Sequence, residues 1–131
     1  MKKRVIIDSN VFIGLLRRKL DPVHTLGKWA KSWHFDLLTC GMIRLEVLRG
    51  IRVEQTKYWL GCFFDVMISE ETDATLWEGA TQLAWSLDRQ GKILPAQDIL
   101  IAACARHANA AIMTADLHFH AFPDIPKIPT P

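Results

Sequence analysis

Short β-branched apolar segments alternate with helical segments along this chain, and the alternation restricts its fold more than any other feature of the sequence. The first apolar segment, residues 4–7, is typical of a buried strand and is closed by Asp8. Strands that alternate with helices predict right-handed crossovers and a parallel sheet. We therefore expect a three-layer α/β domain around a central parallel sheet of four or five strands.

Further strands and helices follow at short intervals. Strands are predicted at residues 36–39, 66–68 and 110–114, and helices at residues 11–16, 42–48, 53–64 and 95–107, with two more helices opened by Asp21-Pro22 and by Ser69. Ser9 or Asn10 is the expected N-cap of the first helix, and the helix capped by Ser69 is expected to end near Leu87. The tail at residues 123–131 contains four of the six prolines, which predicts an extended segment with at most one edge strand.

Composition excludes several classes of protein. Half of the 131 residues are hydrophobic, which predicts one packed domain over residues 1–131 rather than a disordered chain. No apolar run approaches the roughly 20 residues of a membrane span, and Asp8 lies where an export signal would continue apolar. Cys40, Cys62 and Cys104 form no C-x-x-C pair, so we expect no disulfide framework or zinc site, and a cytoplasmic location. The net charge of +2 predicts no partner by itself.

Four acids occupy positions at which the predicted strands end or the helices begin. Asp8 and Asp116 follow strands, Asp98 lies in the first turn of the helix opened by Pro95, and Glu46 lies within a helix. Sites in open parallel sheets form beyond the carboxyl ends of the strands, so these side chains are expected to converge. Clustered carboxylates repel one another unless a cation neutralises them, and Mg²⁺ or Mn²⁺ prefers such oxygen ligands. The alternative is that each acid only caps a helix.

Four motifs in order carry a resemblance to a known family. They are the segments VIIDSNVFI at residues 5–13, LEV at 45–47 with a glycine at 50, LPAQDILIAA at 94–103 and MTADLHF at 113–119. They resemble the PIN-domain ribonucleases and, within them, the VapC-type toxins of bacterial and archaeal toxin–antitoxin systems. The resemblance extends from residue 4 to about residue 122, and it implies a single PIN domain with a three-layer α/β/α, Rossmann-like fold.

The resemblance implies an endoribonuclease whose acidic centre holds Mg²⁺ or Mn²⁺. Asp8, Glu46, Asp98 and Asp116 match the acidic positions of the family, at which they would bind metal and take part in catalysis, and Asn10 and Thr114 match polar positions beside them. Cys40 and Ile43 stand where the family often has a serine or threonine before the second acid, so these two places supply no hydroxyl to orient Glu46. The chemistry requires no histidine, and we expect His118 and His120 to be surface or packing residues.

RNA and protein partners also follow from the resemblance. Basic residues should guide RNA to the pocket, with Arg17 and Arg18 as the first candidates and residues 2–4 and the Arg44, Arg49 and Arg52 group as further ones. A cognate antitoxin and a second copy of the chain are the implied protein partners. Tryptophans recur at helical spacing, which is typical of core, but five of them exceed what such a core can bury, so some are expected at interfaces.

Three other functions are compatible with parts of the pattern. A PIN nuclease with a housekeeping role in RNA processing would carry the same site. A haloacid-dehalogenase-like phosphotransferase also places an acid after its first strand, but that chemistry needs a second aspartate where this chain has Asn10. A non-catalytic binding module could keep the fold alone, although the four intact acids argue against it.

Overall fold

The structure is a computed structural model that describes residues 2–131. Its elements in chain order are β1 (Lys3–Ile7), α1 (Ser9–Arg17), α2 (Pro22–Trp33), β2 (Phe35–Cys40), α3 (Gly41–Arg49), α4 (Glu54–Asp65), β3 (Ile68–Glu70), α5 (Ala74–Arg89), α6 (Ala96–His107), β4 (Ala111–Met113), a 3₁₀ helix (Leu117–Ala121) and β5 (Lys127–Ile128). Within the described residues, none of the helices has both the length and the hydrophobicity that crossing a bilayer requires.

All five strands run parallel in the order β3-β2-β1-β4-β5. This arrangement confirms the predicted three-layer domain with a central parallel sheet. Because the strands are parallel, they all end on one side, here called the carboxyl edge, and all begin on the other, the amino edge. The central strand β1 pairs with β2 and β4, so whatever follows Ile7 and Met113 emerges side by side at the carboxyl edge.

The hydrophobic core covers both faces of the sheet. Val5, Ile6 and Ile7 are fully buried, as expected of a central parallel strand. On α1, Phe12 packs against Phe64 of α4 with their ring centroids 5.0 Å apart. Helix α6 is buried along eight consecutive residues, 98 to 105, so it is an interior helix rather than an amphipathic surface one. Its first turn carries Asp98 into the protein with it.

Three boundaries differ from those that the sequence predicts. Asp8, not Ser9 or Asn10, is the N-cap of α1, because its side chain accepts the Ser9 backbone N–H. Ser69 does not cap α5: it lies in β3, where it pairs with Thr39, and Asp73 caps α5 through the Leu76 N–H. The third strand therefore begins at Ile68, where the predicted one ends, because its pairing with β2 outweighs its own apolar pattern.

Most of the tryptophans lie on the surface. Trp33, Trp59, Trp77 and Trp85 are 67, 57, 49 and 57% exposed, and only Trp29 is half-buried, stacked on Phe35. Helical spacing therefore does not mark core at these four positions, and the expectation that one core cannot enclose all five indoles is confirmed.

Candidate functional site

The fold brings the four acids to one region at the carboxyl edge. Asp8 directly follows β1, and Asp116 follows the neighbouring strand β4. Asp98 enters from the first turn of α6, and Glu46 from α3, which begins where β2 ends. The negative charges of Asp98 and Glu46 both act on Asp8, and that of Asp116 acts on Asp98. The acids thus form one electrostatically connected pocket.

Asp8 is the most deeply buried of these carboxylates, with 3% of its surface exposed. One oxygen, Oδ1, accepts the Ser9 backbone N–H at 2.8 Å. The other, Oδ2, accepts the Thr114 hydroxyl at 2.8 Å and the Asn10 amide at 3.1 Å. Burial raises the pKa of Asp8 to about 6, even though these hydrogen bonds favour the charged form. Both polar residues predicted beside the acids therefore contact a carboxylate.

Asn10 and Thr114 also fix the chain that leads from β4 to Asp116. The Asn10 side-chain oxygen accepts the Ala115 N–H at 3.2 Å, and its amide nitrogen lies 3.3 Å from the Thr114 hydroxyl. The same hydroxyl accepts the Asp116 N–H at 3.0 Å. Two polar side chains thus hold the segment carrying Asp116 against the start of α1, and the position of Asp116 depends on both.

Glu46 has a hydroxyl partner that the sequence did not indicate. Ser9 Oγ lies 3.4 Å from Glu46 Oε1 and 3.5 Å from Asp8 Oδ1, so it bridges two acids that are 38 residues apart. The hydroxyl that the residues before Glu46 do not supply therefore comes from Ser9 of α1 instead. Burial and the nearby charge of Asp98 raise the pKa of Glu46, despite the hydrogen bond from Ser9.

His118 is exposed, as expected of a surface residue, with 47% of its side chain accessible, but its imidazole also contacts two acids of the pocket. Its Nδ1 lies 2.8 Å from Asp98 Oδ2 and 3.2 Å from Asp116 Oδ1. The Asp116 side chain also accepts the His118 backbone N–H, since Asp116 caps the 3₁₀ helix. The hydrogen bond to Asp98 raises the pKa of His118. His120 is exposed, as expected.

The pocket has the chemistry of a cation site. The ligand atoms of Asp98, Asp116 and His118 all lie within 4.8 Å of one another. Asp8 and Glu46 lie outside this tight group but are coupled to it by charge. Burial raises the pKa of Asp8, Glu46 and Asp98, and repulsion between the acids adds to it, so a bound cation would relieve an existing electrostatic penalty. The residues present therefore fit a divalent metal ion.

The predicted RNA-contact residues lie in different parts of the fold. Arg18 follows α1 and lines a small cleft of about 90 Å³ together with Asn10 and Ala115, and its guanidinium donates to the carbonyl of Pro131. Arg17 is exposed in the last turn of the same helix. Arg44 is paired with Asp65 at 2.7 Å.

Residues 2–4 are misplaced for contact with substrate at the acidic pocket. They lie at the amino edge, where β1 begins, and the carboxylate of Asp8 lies just beyond its other end. Lys3 and Asp8 are five positions apart in the sequence, which corresponds to roughly 16 Å along a strand. The expectation that this basic group guides RNA to the pocket is not supported by its position.

The chain is similar in sequence and in fold to known proteins. The PIN domain family model matches residues 5–125. The chain is 30% identical, over 132 aligned positions, to Ribonuclease VapC4 of Mycobacterium tuberculosis, and the alignment covers 96% of each protein. Its fold is similar to that in the crystal structure of VapBC2 from Rickettsia felis bound to a promoter DNA fragment (TM-score 0.78, 18% identity, 96 and 98% of the two chains covered). It is equally similar to DNA-bound VapBC from Salmonella typhimurium (TM-score 0.78, 18% identity, both chains fully covered).

Proposed function

The chain belongs to the PIN-domain family, as its four motifs predict, and we propose that it is an endoribonuclease that depends on a divalent metal ion, Mg²⁺ or Mn²⁺. The observation that carries the proposal is the convergence of Asp8, Glu46, Asp98 and Asp116 at the carboxyl edge, where burial and mutual repulsion penalise the charged carboxylates and a bound cation would relieve that penalty. The relative from Mycobacterium tuberculosis is a ribonuclease, which supports RNA as the substrate.

Each acid has a role that fits its surroundings. Asp98 and Asp116 lie close enough to hold one ion together, and Asp8 orders the pocket through its bonds to Ser9 and Thr114. A bound divalent ion would lower the pKa of water and stabilise negative charge on the phosphate. Glu46 is only partly buried and has a raised pKa, which suits a carboxylate that orients the attacking water and accepts its proton.

RNA cleavage by the purified chain tests this proposal. Structured RNAs, including tRNA, are incubated with the wild type, Asp98→Asn and Asp116→Asn, with Mg²⁺, with Mn²⁺ and with EDTA. The wild type should cleave only with metal, and either substitution should abolish cleavage without unfolding the protein. His120→Gln is the matched control and should cleave normally. Undiminished cleavage by Asp98→Asn, or by the EDTA-treated wild type, would contradict the mechanism.

We further propose that the protein is a toxin neutralised by an antitoxin. The solved structures of similar fold include VapBC assemblies and a toxin–antitoxin complex from Klebsiella pneumoniae. In this chain an apolar groove of about 490 Å³ lies between the α1–α2 connection and α4, and Leu20 and Trp59 line it while 40 and 57% exposed. We assign this groove to an amphipathic helix of the antitoxin, because its exposed apolar side chains match the apolar face of such a helix.

Co-purification distinguishes a toxin from a housekeeping nuclease. The product of the adjacent small gene should co-purify with the wild type and with Trp33→Glu, which alters an exposed indole at the amino edge. Trp59→Glu should lose it. If Trp59→Glu still retains the neighbouring gene product, the groove is not its binding site. If the wild type retains no neighbouring gene product, the housekeeping role is favoured.

We also expect the protein to be a homodimer and to act in the cytoplasm. The exposed Trp77 and Trp85 on α5 support a homodimer, and sedimentation equilibrium should give twice the chain mass for the wild type and a lower mass for Trp85→Glu. The three cysteines are all free thiols, which supports action in the cytoplasm. A monomeric wild type at micromolar concentration would contradict the dimer.

A further inference from the structure

His118 faces two carboxylates through a single nitrogen atom. Its Nδ1 lies 2.8 Å from Asp98 Oδ2 and 3.2 Å from Asp116 Oδ1. A nitrogen that carries one proton donates one well-aligned hydrogen bond, so it cannot satisfy both oxygens equally. A cation shared by the three atoms would satisfy all of them.

The two separations from His118 Nδ1 fit neighbouring positions in one coordination sphere, and the ligand atoms of the three residues lie within 4.8 Å of one another. Octahedral Mg²⁺ or Mn²⁺ sites have bonds of about 2.1 Å, which places neighbouring ligands about 3.0 Å apart. The two separations from Nδ1 lie on either side of that value. The capping bond from the His118 N–H to Asp116 holds this arrangement in place, because it fixes the Asp116 carboxylate next to the backbone that carries the imidazole.

Resting on the proposed function, we propose that His118 Nδ1 is a metal ligand alongside Asp98 and Asp116, so that the ion of this nuclease is held by a mixed nitrogen and oxygen set. Nδ1 then carries no proton, and the proton of the neutral imidazole lies on Nε2. Mg²⁺ prefers oxygen ligands, whereas first-row transition ions accept imidazole. His118 therefore shifts the preference of the site from Mg²⁺ towards Mn²⁺.

Electron paramagnetic resonance with Mn²⁺ as the probe tests this assignment on the full chain without RNA. Pulsed spectra of the wild type should show the hyperfine coupling of a directly bound ¹⁴N nucleus. His118→Gln supplies an amide oxygen in place of the nitrogen, so the coupling should vanish and Mn²⁺ affinity should fall about tenfold. Mg²⁺ affinity, measured by competition, should change less. His120→Gln, an exposed histidine two residues away, should keep the coupling and both affinities.

Two results would overturn the inference: a wild-type spectrum without ¹⁴N coupling, or Mn²⁺ binding that His118→Gln leaves unchanged. Absence of any Mn²⁺ binding would overturn it as well. The cleavage assay distinguishes failure of this inference from failure of the proposed function. Metal-dependent RNA cleavage without ¹⁴N coupling removes only the nitrogen ligand, whereas ¹⁴N coupling in a protein that cleaves no RNA leaves the metal site and removes the ribonuclease.

Discussion

Replacing Asp8 with asparagine should stabilise the metal-free protein near pH 8. The pKa of Asp8 rises from the ordinary 3.8 to about 6 in the folded protein, chiefly because the carboxyl is buried. Ionisation is therefore harder in the folded than in the unfolded state. Below pH 4 the Asp8 carboxyl is protonated in both the folded and the unfolded wild type, so it costs no stability. The folded wild type loses stability as the pH rises from 4 towards 6, and above pH 6 it bears the full cost of a buried carboxylate. A difference of about 2 pKa units corresponds to about 3 kcal/mol.

The hydrogen bonds of Asp8 offset part of this gain. An asparagine oxygen in the position of Oδ1 still accepts the Ser9 N–H. In the wild type, Oδ2 accepts hydrogen bonds from both Thr114 and Asn10. The amide nitrogen that replaces Oδ2 is itself a donor, so at least one of these two hydrogen bonds is lost. The loss of one such bond costs about 1 kcal/mol, leaving a net stabilisation of about 2 kcal/mol. In a chain of this length the melting temperature should rise by roughly 6 to 8 °C.

Urea unfolding followed by tryptophan fluorescence at pH 4, 6 and 8 in EDTA measures the effect. The advantage of Asp8→Asn should be greatest at pH 8, and at pH 4, where only the lost hydrogen bond remains, the variant should be about 1 kcal/mol less stable than the wild type. Asp124→Asn is the control of opposite sign, because a hydrogen bond from Arg106 lowers the pKa of Asp124. A variant that is less stable than the wild type at pH 8, or whose advantage does not depend on pH, would refute the reasoning.

Three other substitutions probe the core, the Thr114 contacts and the proposed RNA surface. Phe12→Ala should destabilise the protein by about 3 to 5 kcal/mol in urea, because Phe12 is fully buried against Phe64. Thr114→Val should cost about 1 to 2 kcal/mol in urea and reduce RNA cleavage, because it deprives Asp8 of a donor and the Asp116 N–H of its acceptor. Arg18→Ala should weaken RNA binding and reduce its salt slope by about 1, whereas Lys3→Ala, at the amino edge, should leave both unchanged in a filter-binding titration.

The strand ends were predictable from local pattern, and with them the arrangement of the acids. A buried β-branched run followed by an acid places that acid at the carboxyl edge, which is why Asp8 and Asp116 both lie at this edge, each after one of two paired strands. The same strand polarity places Lys3 at the far edge, so that position could have been derived from the sequence as well. The start of α6 at Ala96 likewise follows from Pro95.

Contacts between distant segments were not predictable in this way. Ser9 reaches Glu46 only because α1 packs against α3, and no local pattern encodes that packing. His118 joins the pocket because the chain after β4 turns into a 3₁₀ helix capped by Asp116, which points the imidazole back at Asp98. The short edge strand β3 depends on pairing with β2 rather than on its own composition.

Anomalous diffraction from crystals soaked in Mn²⁺ tests the metal site at the centre of this account most directly. We predict an anomalous peak about 2.1 Å from carboxylate oxygens of both Asp98 and Asp116, and its absence from crystals of Asp98→Asn soaked in the same way. Ordered Mn²⁺ elsewhere in the crystal, with the pocket empty and Asp98 still bonded to His118, would contradict it.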